Sequence, residues 1–129
     1  MTLLGIDYGT KKVGLAVSDE TETLAMPLSV LPNNPALLGA IGKVVAERGI
    51  TGIVIGESKN FKWQDNPLMK RIHAFTEVLK DAVGLPIALE PEFLTTAAAR
   101  YGSDEEVLDA AAAALILQSY LDKRHHSTK

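Results

Sequence analysis

The sequence predicts an α/β domain: a mixed five-stranded sheet flanked by helices. Three observations carry this. Residues 3–31 hold three short apolar runs separated by turn-length gaps, the pattern of an antiparallel meander. Two later runs, at residues 51–57 and 85–92, each follow a segment with helical apolar spacing, so they enter the sheet by crossovers and lie parallel to the first strand. At 129 residues and 47% hydrophobic content, the chain has material for one core and not for two.

The first strand is predicted over Leu3 to Tyr8. Lys12 to Ser18 alternates, with Val13, Leu15 and Val17 on one side and Gly14, Ala16 and Ser18 on the other, and Gly9, Thr10 and Lys11 join the two into a hairpin. A third strand is expected at Leu24 to Leu31, ended by Pro32. The next segment reads as a helix with Asn34 as N-cap, Pro35 at the first helical position, a stripe of Leu37, Leu38, Ile41, Val44 and Val45, and Gly49 as C-cap. "TGIVIGE" is a buried strand. Pro67 to Val83 is helical, with Leu68, Ile72, Phe75, Val78 and Leu79 as its stripe and Gly84 as its stop. "LPIALEPE" is the fifth strand, cut off by Pro91. "LTTAAARYG" is a short helix, and a final helix opens on a capping box of Ser103 with Glu106. The domain is expected to span residues 1–123, with 124–129 a frayed tail.

Composition narrows the class. With no cysteine, thiolate metal sites, disulfides and thiol nucleophiles are excluded. No apolar run approaches the roughly 20 residues of a membrane helix, and the N-terminus opens directly into a strand pattern, so the expectation is a cytoplasmic protein. A net charge of −3 argues against gripping nucleic acid by bulk positive field, while leaving room for a local basic patch or for bound cations at an acidic site.

The acids are the informative residues. Asp7 ends the first strand, Glu57 the fourth, and Glu90 and Glu92 fall at the end of the fifth, so three strand ends deliver acids to the sheet edge where open α/β sheets place their sites. On the last helix, Asp109 has Ala112, Ala113 and Ile116 three, four and seven residues on, which puts it on the apolar stripe. Inward carboxylates brought together repel unless a cation sits among them, and hard cations such as magnesium or manganese take carboxylate oxygens. Each acid also has a structural reading. Asp7 could serve the turn, Glu57 and one of Glu90 and Glu92 could be solvated loop residues, and Asp109 could pair with Arg100 or Lys12. No histidine pair suits a ligand set or a base. "SKNFKWQDN" interleaves Lys59 and Lys62 with Phe61 and Trp63, a mixture suited to phosphates and stacked bases or to aromatics packing down on the domain.

The stretches "GIDYGTKKVGLAVSD", "EFLTTAAA" and "DAAAAALILQSYLD" resemble, in order and over nearly the whole chain, the YqgF-type family of the ribonuclease H-like superfamily. That family is described as Holliday-junction resolvases and as nucleases maturing the 5′ end of precursor 16S rRNA. The resemblance implies a ribonuclease H-like fold and a metal-dependent phosphodiesterase whose three acids fall on Asp7, Glu92 and Asp109. It also implies a catalytic and metal role for all three, with two magnesium or manganese ions about 4 Å apart. Lys11, Lys12, Lys59, Lys62 and Arg100 are then candidates for phosphate contact, with Phe61 and Trp63 stacking on bases of structured RNA or branched DNA, and the protein acts as a monomer or homodimer. The chain departs from the family pattern at Pro91 and Phe93, which flank Glu92 in place of an acid and an arginine, and at Glu57, Ser58 and Lys59, in place of leucine and proline after Gly56. Two other readings stand beside this one. "YGTKK" after an acid also looks like the first phosphate-binding motif of actin-like ATPases, which need two such domains, and the chain could be a non-catalytic binding or assembly module of the same fold.

Overall fold

The computed structural model describes residues 1–58, 67–92 and 105–127, and within them the side chains of 1–56, 69–90 and 110–124. The chain runs β1 (Thr2–Tyr8), β2 (Lys12–Ser18), β3 (Ala25–Pro32), α1 (Leu37–Arg48), β4 (Ile50–Ser58), α2 (Pro67–Val83), β5 (Ile87–Glu92) and α3 (Glu105–Ser127). The sheet order is β3-β2-β1-β4-β5. β1–β2 and β2–β3 pair antiparallel, β1–β4 and β4–β5 parallel, so the mixed five-stranded topology is the predicted one.

Strand alternation divides the core into two layers. Leu4, Ile6, Val13, Leu15, Ile53 and Ile55 pack with Leu37 and Ile41 of α1 and Met69, Ile72 and Leu79 of α2. On the other face Leu3, Ala16 and Val54 pack with Ala113, Ile116, Leu117 and Leu121 of α3. Small residues let α3 lie directly on β1. A Cβ on Gly5 would stand 2.8 Å from Leu117 Cβ and 3.0 Å from the Ala113 carbonyl oxygen, which leaves space for glycine alone.

Gly49 and Gly84 stop α1 and α2 as expected, at φ 63° and 67°, where glycine carries no Cβ penalty. Their N–H groups donate to the carbonyls of Val45 and Lys80. Other details differ. Asn34 does not cap α1: its Oδ1 accepts the Ala36 N–H at 2.9 Å and its carbonyl the Leu37 N–H at 3.0 Å, an Asx turn that delays the helix to Leu37. Val78 is 50% exposed, because it lies about 100° around the helix from buried Leu79, and Met69, outside the expected stripe, is fully buried. Pro91 does not end β5, which continues to Glu92 opposite Ser58; β5 is an edge strand, where a residue without an N–H is tolerated. α3 continues to Ser127, through most of the stretch expected as a tail, and residues 128–129 lie outside those described. Arg124 is held by Glu22 at 2.7 Å and lies over the Tyr120 ring at 5.8 Å. The capping box at Ser103 and the short helix before it lie outside the described residues. No helix among those described is long and apolar enough to cross a membrane.

Candidate active site at the carboxyl edge of the sheet

Asp7 is the penultimate residue of β1, half-buried and paired in register with Gly14. Its neighbours fix the strand end. Ile6 is fully buried, and the Tyr8 ring stacks on Phe75 of α2 with centroids 4.8 Å apart. Beyond it, the turn to β2 is closed by contacts that the sequence pattern did not single out. Asn33, just past β3, donates through Nδ2 to the Gly9 carbonyl at 2.7 Å and through its backbone N–H to the Lys11 carbonyl at 2.9 Å. A Cβ on Gly9 would fall on the carbonyl oxygen of Lys12. Glycine is therefore required there by the turn's own backbone, a need independent of anything that approaches Asp7.

Register brings the other strand-end acids to this edge and sorts them. β1 and β4 pair Ile6 with Ile55, and β4 and β5 pair Gly56 with Glu90 and Ser58 with Glu92. Asp7 occupies a β1 position in step with Leu3 and Gly5, on the α3 side. Glu92 is in step with Glu90, whose partners lie on α3. Glu57 occupies a β4 position in step with Ile53 and Ile55, which pack toward α1 and α2, so its strand position separates it from the other acids.

Asp109 lies in α3 one turn before Ala113, whose carbonyl sits against Gly5. Ala113 and Ile116 are buried and Ala112 half-buried, so the stripe on which Asp109 falls is the one turned to the sheet. α3 thus carries Asp109 over the half of β1 that ends in Asp7. The side chains of Glu92 and Asp109 lie outside those described, as do Lys59, Phe61, Lys62, Trp63 and Arg100. Of the predicted cations that are described, Lys11 is exposed at the turn and Lys12 half-buried at the start of β2.

Glu90 is the residue whose role sequence reasoning missed. It is not a solvated loop residue but 4% exposed. Its Oε1 accepts the Ser119 hydroxyl at 3.0 Å and forms an ion pair with Lys123. The one available signal was the four-residue spacing of Ser119 and Lys123, which places both on one helix face.

The family model for "RuvX: Holliday junction resolvase" matches residues 1–123. The chain belongs to the RuvX family. This is the family to which the three motifs pointed, and with it the chain takes its place among nucleases rather than actin-like ATPases. Proteins carrying the name "Putative pre-16S rRNA nuclease" are similar along almost the full length. The protein of Chloroflexus aggregans is 32% identical, covering 97% of this chain and 96% of its own. That of Oenococcus oeni is 34% identical, covering 99% of each. Among solved structures, RuvC of T. thermophilus in complex with a Holliday junction substrate superposes with TM-score 0.65 at 17% identity, over 97% of this chain and 96% of that one. The fowlpox virus resolvase reaches 0.57 at 12% identity, over 95% of this chain and 99% of that one. At these identities the likeness speaks for the fold, the ribonuclease H-like one.

Proposed function

We propose that the chain hydrolyses phosphodiester bonds in structured nucleic acid in the cytoplasm, with Asp7, Glu92 and Asp109 as the catalytic carboxylates and as ligands of magnesium or manganese. The observation that supports this most directly is the seating of α3 on Gly5, which carries the Asp109 turn over the half of β1 that ends in Asp7. The donor set fits hard divalent cations: three carboxylates from β1, β5 and α3, with neither histidine nor cysteine among them. Bound there, such ions supply the activated water and the charge compensation that phosphodiester cleavage needs.

The chain's own residues do the rest. Asp7 is half-buried at the end of β1, next in the chain to Tyr8, whose ring lies against Phe75, and to the turn braced by Asn33. Lys11, exposed on that turn, contacts a phosphate of the substrate, and Lys12, Lys59, Lys62 and Arg100 extend the contact while Phe61 and Trp63 stack on bases. With a net charge of −3, binding is weak, magnesium-dependent and salt-sensitive.

The substrate favoured by the curated relatives' names is the 5′ region of precursor 16S rRNA. A second reading, resolution of a Holliday junction, is favoured by the family's description, and it calls for a homodimer that presents two sites to a two-fold substrate. Manganese-dependent cleavage of a labelled precursor-rRNA fragment and a labelled four-way DNA junction, run side by side at matched salt, tests the proposal. Cleavage of the RNA by a monomer supports the first reading, and paired nicks in the junction by a dimer support the second. No cleavage of either overturns both.

A further inference from the structure

We infer that Glu90, with Ser119 and Lys123, is a positioning residue that sets the separation between Glu92 and Asp109. The inference rests on the proposed site and goes beyond its ligands.

α3 is attached differently on the two flanks of the sheet. Its apolar face packs on β1, β2 and β4 with Ala25 of β3 beside them, and among the described residues the apolar cluster beneath it includes none of β5. β5 turns its large apolar residues, Ile87 and Leu89, toward the other layer, and only the small Ala88, paired with Val54, is in step with Glu90 on the α3 side. On the β3 flank α3 is braced by Gln118, which accepts the Ala25 N–H at 2.9 Å and donates to the Thr23 carbonyl at 2.9 Å, and by Arg124 on Glu22. On the β5 flank, among the described residues, the polar brace is Glu90, joined to Ser119 and Lys123 through one oxygen. Hydrogen bonds to a charged partner are shorter, stronger and more directional than apolar contact, so this brace defines a distance as well as an attachment.

Two residues beyond Glu90, on the same strand and in the same phase, stands Glu92. Ten residues before Ser119, on the same helix, stands Asp109. The brace therefore ties together the two elements that each carry a proposed ligand, on a flank where, among the described residues, the buried apolar cluster under α3 has no member. Groups that hydrogen-bond metal ligands directly govern metal affinity by about 10- to 100-fold, and Glu90, acting one step further back through the elements, is expected at the lower end.

The test is manganese calorimetry on wild type, Asp7→Asn, Glu90→Gln, Lys123→Met and Lys123→Arg, with thermal midpoints and nuclease kinetics for each. Lys123 is 60% exposed, so its variants fold. The expected result is a loss of manganese affinity of about 10-fold in Lys123→Met and Glu90→Gln, and a fall in kcat with KM for nucleic acid unchanged. Lys123→Arg, which keeps a cationic donor, stays within about two-fold of wild type. Wild-type affinity and kcat in Glu90→Gln and Lys123→Met, whatever their midpoints, overturn the inference and leave the site assignment standing. Manganese binding that is absent from wild type, or unchanged in Asp7→Asn, overturns the site assignment and this inference with it.

Discussion

Replacing Gly5 with alanine tests whether the site spans β1 and α3. The added Cβ would meet Leu117 Cβ at 2.8 Å and the Ala113 carbonyl oxygen at 3.0 Å, where ordinary contact begins at 3.4 Å. Neither atom can rotate away, since one is fixed to the helix backbone and the other belongs to it. Relief requires α3 to move off β1 by at least about 0.6 Å. Overpacking of this kind costs about 1–3 kcal/mol, and alanine returns about 0.4–1 kcal/mol by restricting the unfolded chain. The net loss of about 1–2 kcal/mol lowers the thermal midpoint by roughly 3–10 °C for a domain of this size. The movement matters more for chemistry, because Asp109 rides on α3 and Asp7 on β1. A displacement approaching 1 Å between catalytic groups costs up to about 100-fold, so kcat should fall by at least about 10-fold at a temperature where the variant is still folded. Differential scanning calorimetry and single-turnover cleavage read the two effects. An unchanged midpoint would refute the seating of α3 on Gly5, and a lowered midpoint with wild-type kcat would refute a site shared between the two elements.

Gly9→Ala should destabilise by about 1–3 kcal/mol, because its Cβ would fall on the Lys12 carbonyl; urea unfolding gives the figure. Lys11→Ala, at an exposed turn position, should leave stability unchanged and reduce the slope of log affinity against log salt by about one, measured by fluorescence anisotropy with labelled substrate. Asp19 carries the clearest acid dependence. The Thr23 N–H foremost, then the Leu24 N–H and the Thr21 hydroxyl, hold its carboxyl below the usual range. A depressed carboxylate contributes stability above its unfolded pKa and loses it as pH falls through the folded one. Wild type should thus exceed Asp19→Ala in urea midpoint at neutral pH, and the gap should close as pH falls below about 4.

Much of this architecture is legible because it is written in local periodicity. The alternation of Val13, Leu15 and Val17 gave β2 its bounds of Lys12–Ser18, and Pro67 with Gly84 bracketed α2 at Pro67–Val83. The parallel placement of β4 and β5 followed from the helices before them. Asp7 at a strand end was equally visible, as was the buried stripe of Ala113 and Ile116, since both depend on phase alone. What local pattern could not supply were contacts made at long range. Glu90 reads as one of two strand-end acids until register and helix docking bring it to Ser119 and Lys123. Asn33 reads as loop until β3 carries it to the first turn. Gly9 reads only as a hairpin residue, whereas the carbonyl of Lys12, three residues on, requires glycine there. Asn34 and Val78 differ for a nearer reason: an Asx turn competes with the cap, and Val78 sits at the margin of a stripe centred on Ile72 and Leu79.

The central claim is that Asp7 is a catalytic carboxylate of a metal-dependent nuclease. Single-turnover cleavage of labelled precursor rRNA and of a four-way junction, by wild type and Asp7→Asn in manganese, tests it most directly. Wild type is expected to cleave at least one substrate and Asp7→Asn to lose nearly all of that cleavage, with the thermal midpoint little changed. Cleavage by Asp7→Asn at the wild-type rate would contradict the claim.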